Sequence, residues 1–73
     1  MSSTSSPEIV LRVNGEERSL AASTLLELLE ALGTRPELVA IEHNGEIVPR
    51  ARFGETPLAS GDRVEIVQFV QGG

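Results

Sequence analysis

The chain has 73 residues, 40% of them hydrophobic, enough for one small domain with a modest core, since a chain this short buries only about 60% of its unfolded surface. Eleven acidic residues against six basic ones leave a net charge of −5, and the one basic cluster, Arg50-Ala51-Arg52, is too small to offset phosphate repulsion, which argues against nucleic acid as a ligand. The absence of cysteine excludes disulfides, thiolate metal sites and a cysteine nucleophile.

Residues 1–7 form a Ser/Thr-rich lead ending in Pro7. It has neither a charged n-region nor an apolar h-region, so it reads as a disordered lead rather than a secretory signal. No apolar run approaches the roughly eighteen residues of a membrane span, and a soluble, cytoplasmic protein is expected. The folded domain is expected over residues 8–70, with residues 71–73 as a flexible tail. Ile9, Leu11 and Val13 alternate with Val10 and Arg12, the period of a strand with one buried face. Asn14-Gly15 follows, a strong hairpin signal because both central residues of a type I′ turn need positive φ. Glu16 to Leu20 then return antiparallel, with Leu20 turned inward.

Thr24-Leu25-Leu26-Glu27 fits a capping box, in which the Thr hydroxyl satisfies an orphan amide and Glu27 reaches back to the cap amide. Leu25, Leu28, Leu29 and Leu32 fall at i, i+3, i+4 and i+7, one apolar stripe of an amphipathic helix. Gly33 is a left-handed C-cap, and Pro36 blocks continuation. Residues 38–43 read as a third strand, with Val39 and Ile41 on one face and Ala40 and Glu42 on the other. Asn44-Gly45 repeats the type I′ signal, Glu46-Ile47-Val48 is the return strand, and Pro49 ends it because proline cannot donate to the ladder. Residues 50–60 form a loop or short helical turn anchored by Phe53 and Leu58. Gly61-Asp62 turns into the last strand over residues 64–70, where Val64 and Ile66 face the helix. The architecture expected is α+β, a mixed five-stranded sheet with one main helix laid across it.

No constellation supports independent catalysis. His43 is the only imidazole and reads as a solvated residue beside a turn, and Asp62 as a turn residue. Glu16 and Glu17 are adjacent on a strand and point to opposite faces, while Glu27 and Glu30 suit a solvated helix face. Metal-ligand spacing and phosphate-cradling glycine patterns are absent. Val67 and Phe69 differ, because the strand alternation turns them outward beside Glu65. Fixing the four residues after Phe69 inside a partner costs roughly 4–8 kcal/mol of backbone entropy. Burying a Val and a Phe returns ~1.5–3 kcal/mol each. Val67, Phe69 and Ala40, with Glu65 at their side, are therefore assigned to partner docking, against ordinary surface or a homodimer contact. The chain closes on Gln71-Gly72-Gly73, which suits a protein whose α-carboxylate is the working group; a frayed terminus is the plainer alternative. All six basic residues are arginine, which fits either a compositional bias or a reactive acyl group kept away from ε-amines.

The order ββαββ followed by a strand and Gly-Gly resembles the ubiquitin-like β-grasp fold. Within it, Asn44-Gly45-Glu46-Ile47-Val48-Pro49-Arg50, then Leu58-Ala59-Ser60-Gly61-Asp62-Arg63-Val64-Glu65-Ile66-Val67 and Gly72-Gly73, are similar to the ThiS sulfur carriers of thiamine biosynthesis. MoaD, the small subunit of molybdopterin synthase, shares that fold and tail, but its proline-rich approach to the diglycine is not found here. A C-terminal carboxyl has a pKa of about 3.3–3.7, so it is ionised at neutral pH and inert as an acyl donor. The resemblance implies that a ThiF-type adenylyltransferase, using ATP and Mg²⁺, converts Gly73 to an acyl-adenylate. A persulfide sulfur donor then displaces AMP to leave a thiocarboxylate, which a ThiG-type thiazole synthase consumes. It also implies that Gln71 and Gly72 thread a partner's channel. The carrier itself would bind no cofactor or metal, hold no catalytic residue and not be an enzyme. A carrier for molybdopterin, tRNA thiolation or cysteine synthesis, or a ubiquitin-like protein modifier, is the alternative.

Overall fold

The computed structural model describes residues 8–69. The expectations of a disordered lead and a flexible diglycine tail fall on residues 1–7 and 70–73, outside the described residues. Five strands, β1 (Ile9–Val13), β2 (Glu16–Leu20), β3 (Val39–His43), β4 (Glu46–Val48) and β5 (Arg63–Gln68), form one sheet in the order β2-β1-β5-β3-β4. β5 lies in the middle, parallel to β1 and antiparallel to β3, so the sheet is mixed as expected. The helix α1 (Leu25–Leu32) crosses one face. Among the described residues no helix is long and apolar enough to cross a membrane.

The local signals produce the elements they encode. Thr24 is extended (φ −135°, ψ 167°) and its hydroxyl accepts the Glu27 N–H at 3.2 Å. Glu27 reaches back one residue further than the capping-box pattern has it, accepting from the Ser23 N–H at 2.7 Å and the Ser23 hydroxyl at 3.1 Å. Gly33 ends the helix at φ 72°, where a Cβ would be strained. Leu25, Leu28 and Leu29 are buried against Leu11 and Val13 of β1, Val39 and Ile41 of β3, and Val64 of β5. Leu20 and Leu32 are half-buried at the margin of this core.

Two proline-started 3-10 helices refine the expectations. Pro36–Leu38 coils before β3, so Leu38 closes a turn instead of opening the strand. Pro49 precedes a 3-10 helix at Arg50–Glu55, which carries Phe53 into the core. The last strand starts one residue early, at Arg63, and ends at Gln68.

Asn14 and Asn44 hold positive φ (53° and 52°), each followed by a left-handed glycine, as type I′ turns require. They also grip β5 from both sides. The ladder between β1 and β5 is only two residue pairs long. Asn14 extends it with its side chain, accepting the Ile66 N–H at 2.6 Å and donating to the Ile66 carbonyl at 3.1 Å. On the other flank Asn44 accepts the Arg63 N–H at 2.9 Å. Asn14→Ala is expected to cost ~1–3 kcal/mol in urea unfolding, from two lost hydrogen bonds and an alanine forced into the left-handed region. Asn14→Gly keeps the turn and should lose only the hydrogen-bond part.

Candidate functional site

Strand alternation leaves one sheet face uncovered by α1. Glu65 and Val67 of β5 lie on it, with Phe69 following the same alternation one residue beyond the strand. In register with them, Ala40 of β3 pairs with Val67, and Glu42 with Glu65. Ile47 of β4 pairs with Glu42 from the other side. Val67 is 59% exposed, Phe69 54% and Ile47 76%. With Val10 of β1, they are the large exposed hydrophobic residues of the described chain, and all four belong to this face. Isolated surface apolar groups are ordinary, whereas several on one face make that face the candidate interaction surface. A depression of about 360 Å³ opens among Ala40, Ile47, Glu65 and Val67. The Phe69 N–H donates to the Leu38 carbonyl at 2.8 Å, which holds the chain against β3 up to its last described residue.

The docking residues expected from sequence, Val67, Phe69, Ala40 and Glu65, are thus brought together. Ile47 was missed, although its signal was available: once Val48 packs inward, alternation turns Ile47 out. Gln71, Gly72 and Gly73, the residues assigned to threading and modification, lie outside the described residues.

His43 is not the solvated turn residue expected. It is the last residue of β3, on the core side, with its side chain 18% exposed. Its Nε2 lies 2.7 Å from Asp62 Oδ2. An ionised carboxylate only accepts, so Nε2 carries the proton of this bond. Asp62 also accepts the Ala59 N–H at 3.0 Å and the Asn44 side-chain amide at 3.3 Å. Partial burial pushes the Asp62 carboxyl up, but the bonds from His43, Ala59 and Asn44 outweigh it and hold the carboxyl below its ordinary value. The cluster ties the turn before β5 to the end of β3, and it has the form of a structural staple. A depressed carboxyl contributes stability above its unfolded pKa of about 3.9 and loses it as pH falls through the lower folded value. Asp62→Asn should therefore be less stable than the parent at neutral pH, and the gap should close in acid unfolding below about pH 4. Among the described residues no group of three or more His, Asp or Glu side chains is arranged to hold a metal.

The arrangement is a one-helix, five-stranded sheet with an apolar outer face along the strand that leads to Gly-Gly. A family model described as the ThiS family matches residues 11–73. The chain belongs to the ThiS family. The sulfur carrier protein ThiS of Thermus thermophilus is 41% identical over 61 residues, covering 84% of this chain and 95% of that protein. The crystal structure of a thiamine biosynthesis protein (ThiS) from Geobacter metallireducens superposes with a TM-score of 0.75 at 36% identity, covering 89% of this chain and all of that one. The β-grasp architecture expected from the resemblance is thereby established for this ThiS-family chain. A thiazole synthase of Paramagnetospirillum magneticum is 45% identical over 64 residues. That match takes in 86% of this chain, which spans only about a fifth of the thiazole synthase, 20% of its length.

Proposed function

We propose that this chain is the sulfur carrier for thiazole formation in thiamine biosynthesis, and that the carboxyl of Gly73 bears the sulfur. The observation that carries the reading is the ThiS-family match, which runs through β5 and on to Gly73. The chain contributes an acyl handle and a docking face, and the catalytic groups belong to its partners. A ThiF-type adenylyltransferase attacks ATP-Mg²⁺ with the Gly73 carboxylate, releasing pyrophosphate and leaving an acyl-adenylate. A persulfide sulfur donor expels AMP, and cleavage of its S–S bond by a thiol leaves the thiocarboxylate. A ThiG-type thiazole synthase then takes the sulfur. That acceptor is supported by thiazole synthases, from Paramagnetospirillum magneticum and Magnetococcus marinus, that contain a segment similar to this chain within one longer polypeptide.

Intact-mass measurement tests the chemistry. After incubation with ATP, Mg²⁺, a sulfur source and a ThiF-type adenylyltransferase, the mass should rise by the exchange of one oxygen for sulfur. An unchanged mass refutes the proposal, and a ladder of higher-mass adducts on denaturing gels would indicate a protein modifier instead. The docking face has its own test. Phe69→Ala should weaken partner binding by ~1–3 kcal/mol, as for an aromatic interface anchor, while scarcely moving the melting temperature. A collapse of the melting temperature would show that Phe69 belongs to the core.

A further inference from the structure

The outer face carries a pattern of charge that the free chain does not resolve. Glu42 and Glu65 are direct cross-strand partners, both exposed. Directly opposed like charges on antiparallel strands destabilise the pair. Neither makes an ion pair; among the described residues the one salt bridge joins His43 and Asp62. Arg63, two residues before Glu65 on β5, borders the same depression without reaching ion-pair distance of either carboxylate. Arg63 is itself in register with Arg12 of β1. Like faces like twice on adjacent strands, so the charges of this face are segregated rather than paired. Such an arrangement favours a partner of complementary charge.

Both glutamates and Arg63 line the depression of about 360 Å³, with Ala40, Ile47 and Val67 as apolar walls. An apolar slot whose rim carries two carboxylates against one guanidinium fits a side chain that has an aliphatic stem and a cationic head. Arginine suits it better than lysine, because a planar guanidinium can donate to two carboxylates at once. The slot is continuous with Val67 of the docking face. We propose that Glu42 and Glu65 together receive an arginine of the thiazole synthase, with its stem laid between Ile47 and Val67. This rests on the sulfur-carrier reading and adds the chemistry by which the acceptor is recognised. The thiazole synthase is chosen over other partners because the similar segments found inside longer proteins are in thiazole synthases.

The test compares Glu42→Gln/Glu65→Gln with the parent for binding to a ThiG-type thiazole synthase across a salt series. Binding should weaken about tenfold or more and lose most of its salt dependence. Stability in urea should hold or rise, because a repulsion has been removed. That combination distinguishes recognition from a folding defect. Unchanged affinity and salt slope in the double variant would overturn the inference, and Val67→Asp separates this from failure of the wider reading. If Val67→Asp still abolishes binding, the docking face stands without the arginine; if it does not, the sulfur-carrier docking reading fails with it. Loss of binding to a ThiF-type adenylyltransferase alone would overturn the choice of partner. Salt-sensitive self-association of the parent chain, abolished in the double variant, would overturn it in favour of a second copy whose Arg12 and Arg63 fill the role.

Discussion

Phe53→Ala is expected to bring the domain close to unfolding at room temperature, with the urea midpoint collapsing in circular dichroism. Phe53 is 2% exposed and among the largest fully enclosed side chains. It reaches the core from the 3-10 helix at Arg50–Glu55, which packs against α1. The approach is close enough that a Cβ on Gly54 would stand 3.5 Å from Leu26 Cδ2. A buried Phe→Ala change costs ~3–5 kcal/mol, the transfer term plus the cavity left behind. At 0.05–0.15 kcal/mol per residue, a domain of this size holds only about 4–11 kcal/mol in total. One side chain can therefore remove most of the margin. Phe53→Leu, which leaves a smaller void, should retain a cooperative transition at a lower midpoint. A parent-like midpoint for the alanine variant would mean that the segment between β4 and β5 is ornamental to the fold.

Short-range patterns carried most of the architecture. Both Asn-Gly turns, the Thr24 cap, the leucine stripe and the Gly33 terminus depend on residues within one turn of each other, so their physics is written locally. The outward placement of Val67 and Phe69 followed from alternation alone, and the ThiS resemblance followed from motifs in three segments, residues 44–50, 58–67 and 72–73. What escaped depends on which strands become neighbours. His43 and Asp62 are 19 positions apart, and Asn14 and Ile66 are 52 apart; neither contact has a local signature. Alternation puts Glu65 on the docking face and Glu42 on the Ala40 face, but that they stand directly opposite one another emerges only from the β3–β5 register. The reading of His43 failed for this reason. A histidine beside an Asn-Gly turn is usually solvated, but here the arrival of β5 sets a carboxylate beside it and turns it into a staple.

Removal of Gly73 is expected to abolish sulfur loading while leaving the unfolding transition where it was. Glycine has no side chain to contribute to a core, so the stability of the sheet and helix should not register its loss. Its proposed carboxyl chemistry depends instead on reach. Deleting one residue withdraws the terminal carboxyl by about 3.3–3.6 Å when the chain is extended. Displacement of a reacting group by about 1 Å can cost on the order of a hundredfold in rate, so Gly72 cannot substitute as the acyl donor at detectable yield. Gly73→Ala keeps the reach but sets a methyl beside the reacting carbon, and should load slowly rather than not at all. Phe69→Ala behaves differently again: at saturating adenylyltransferase it should reach the full mass gain, because it weakens docking and leaves the carboxyl untouched. Three variants with three distinct outcomes separate reach, crowding and docking in one mass-spectrometric time course. Normal loading of the chain that ends at Gly72 would show that the terminal position is not what the activating enzyme measures, and the proposed role of Gly73 would fall.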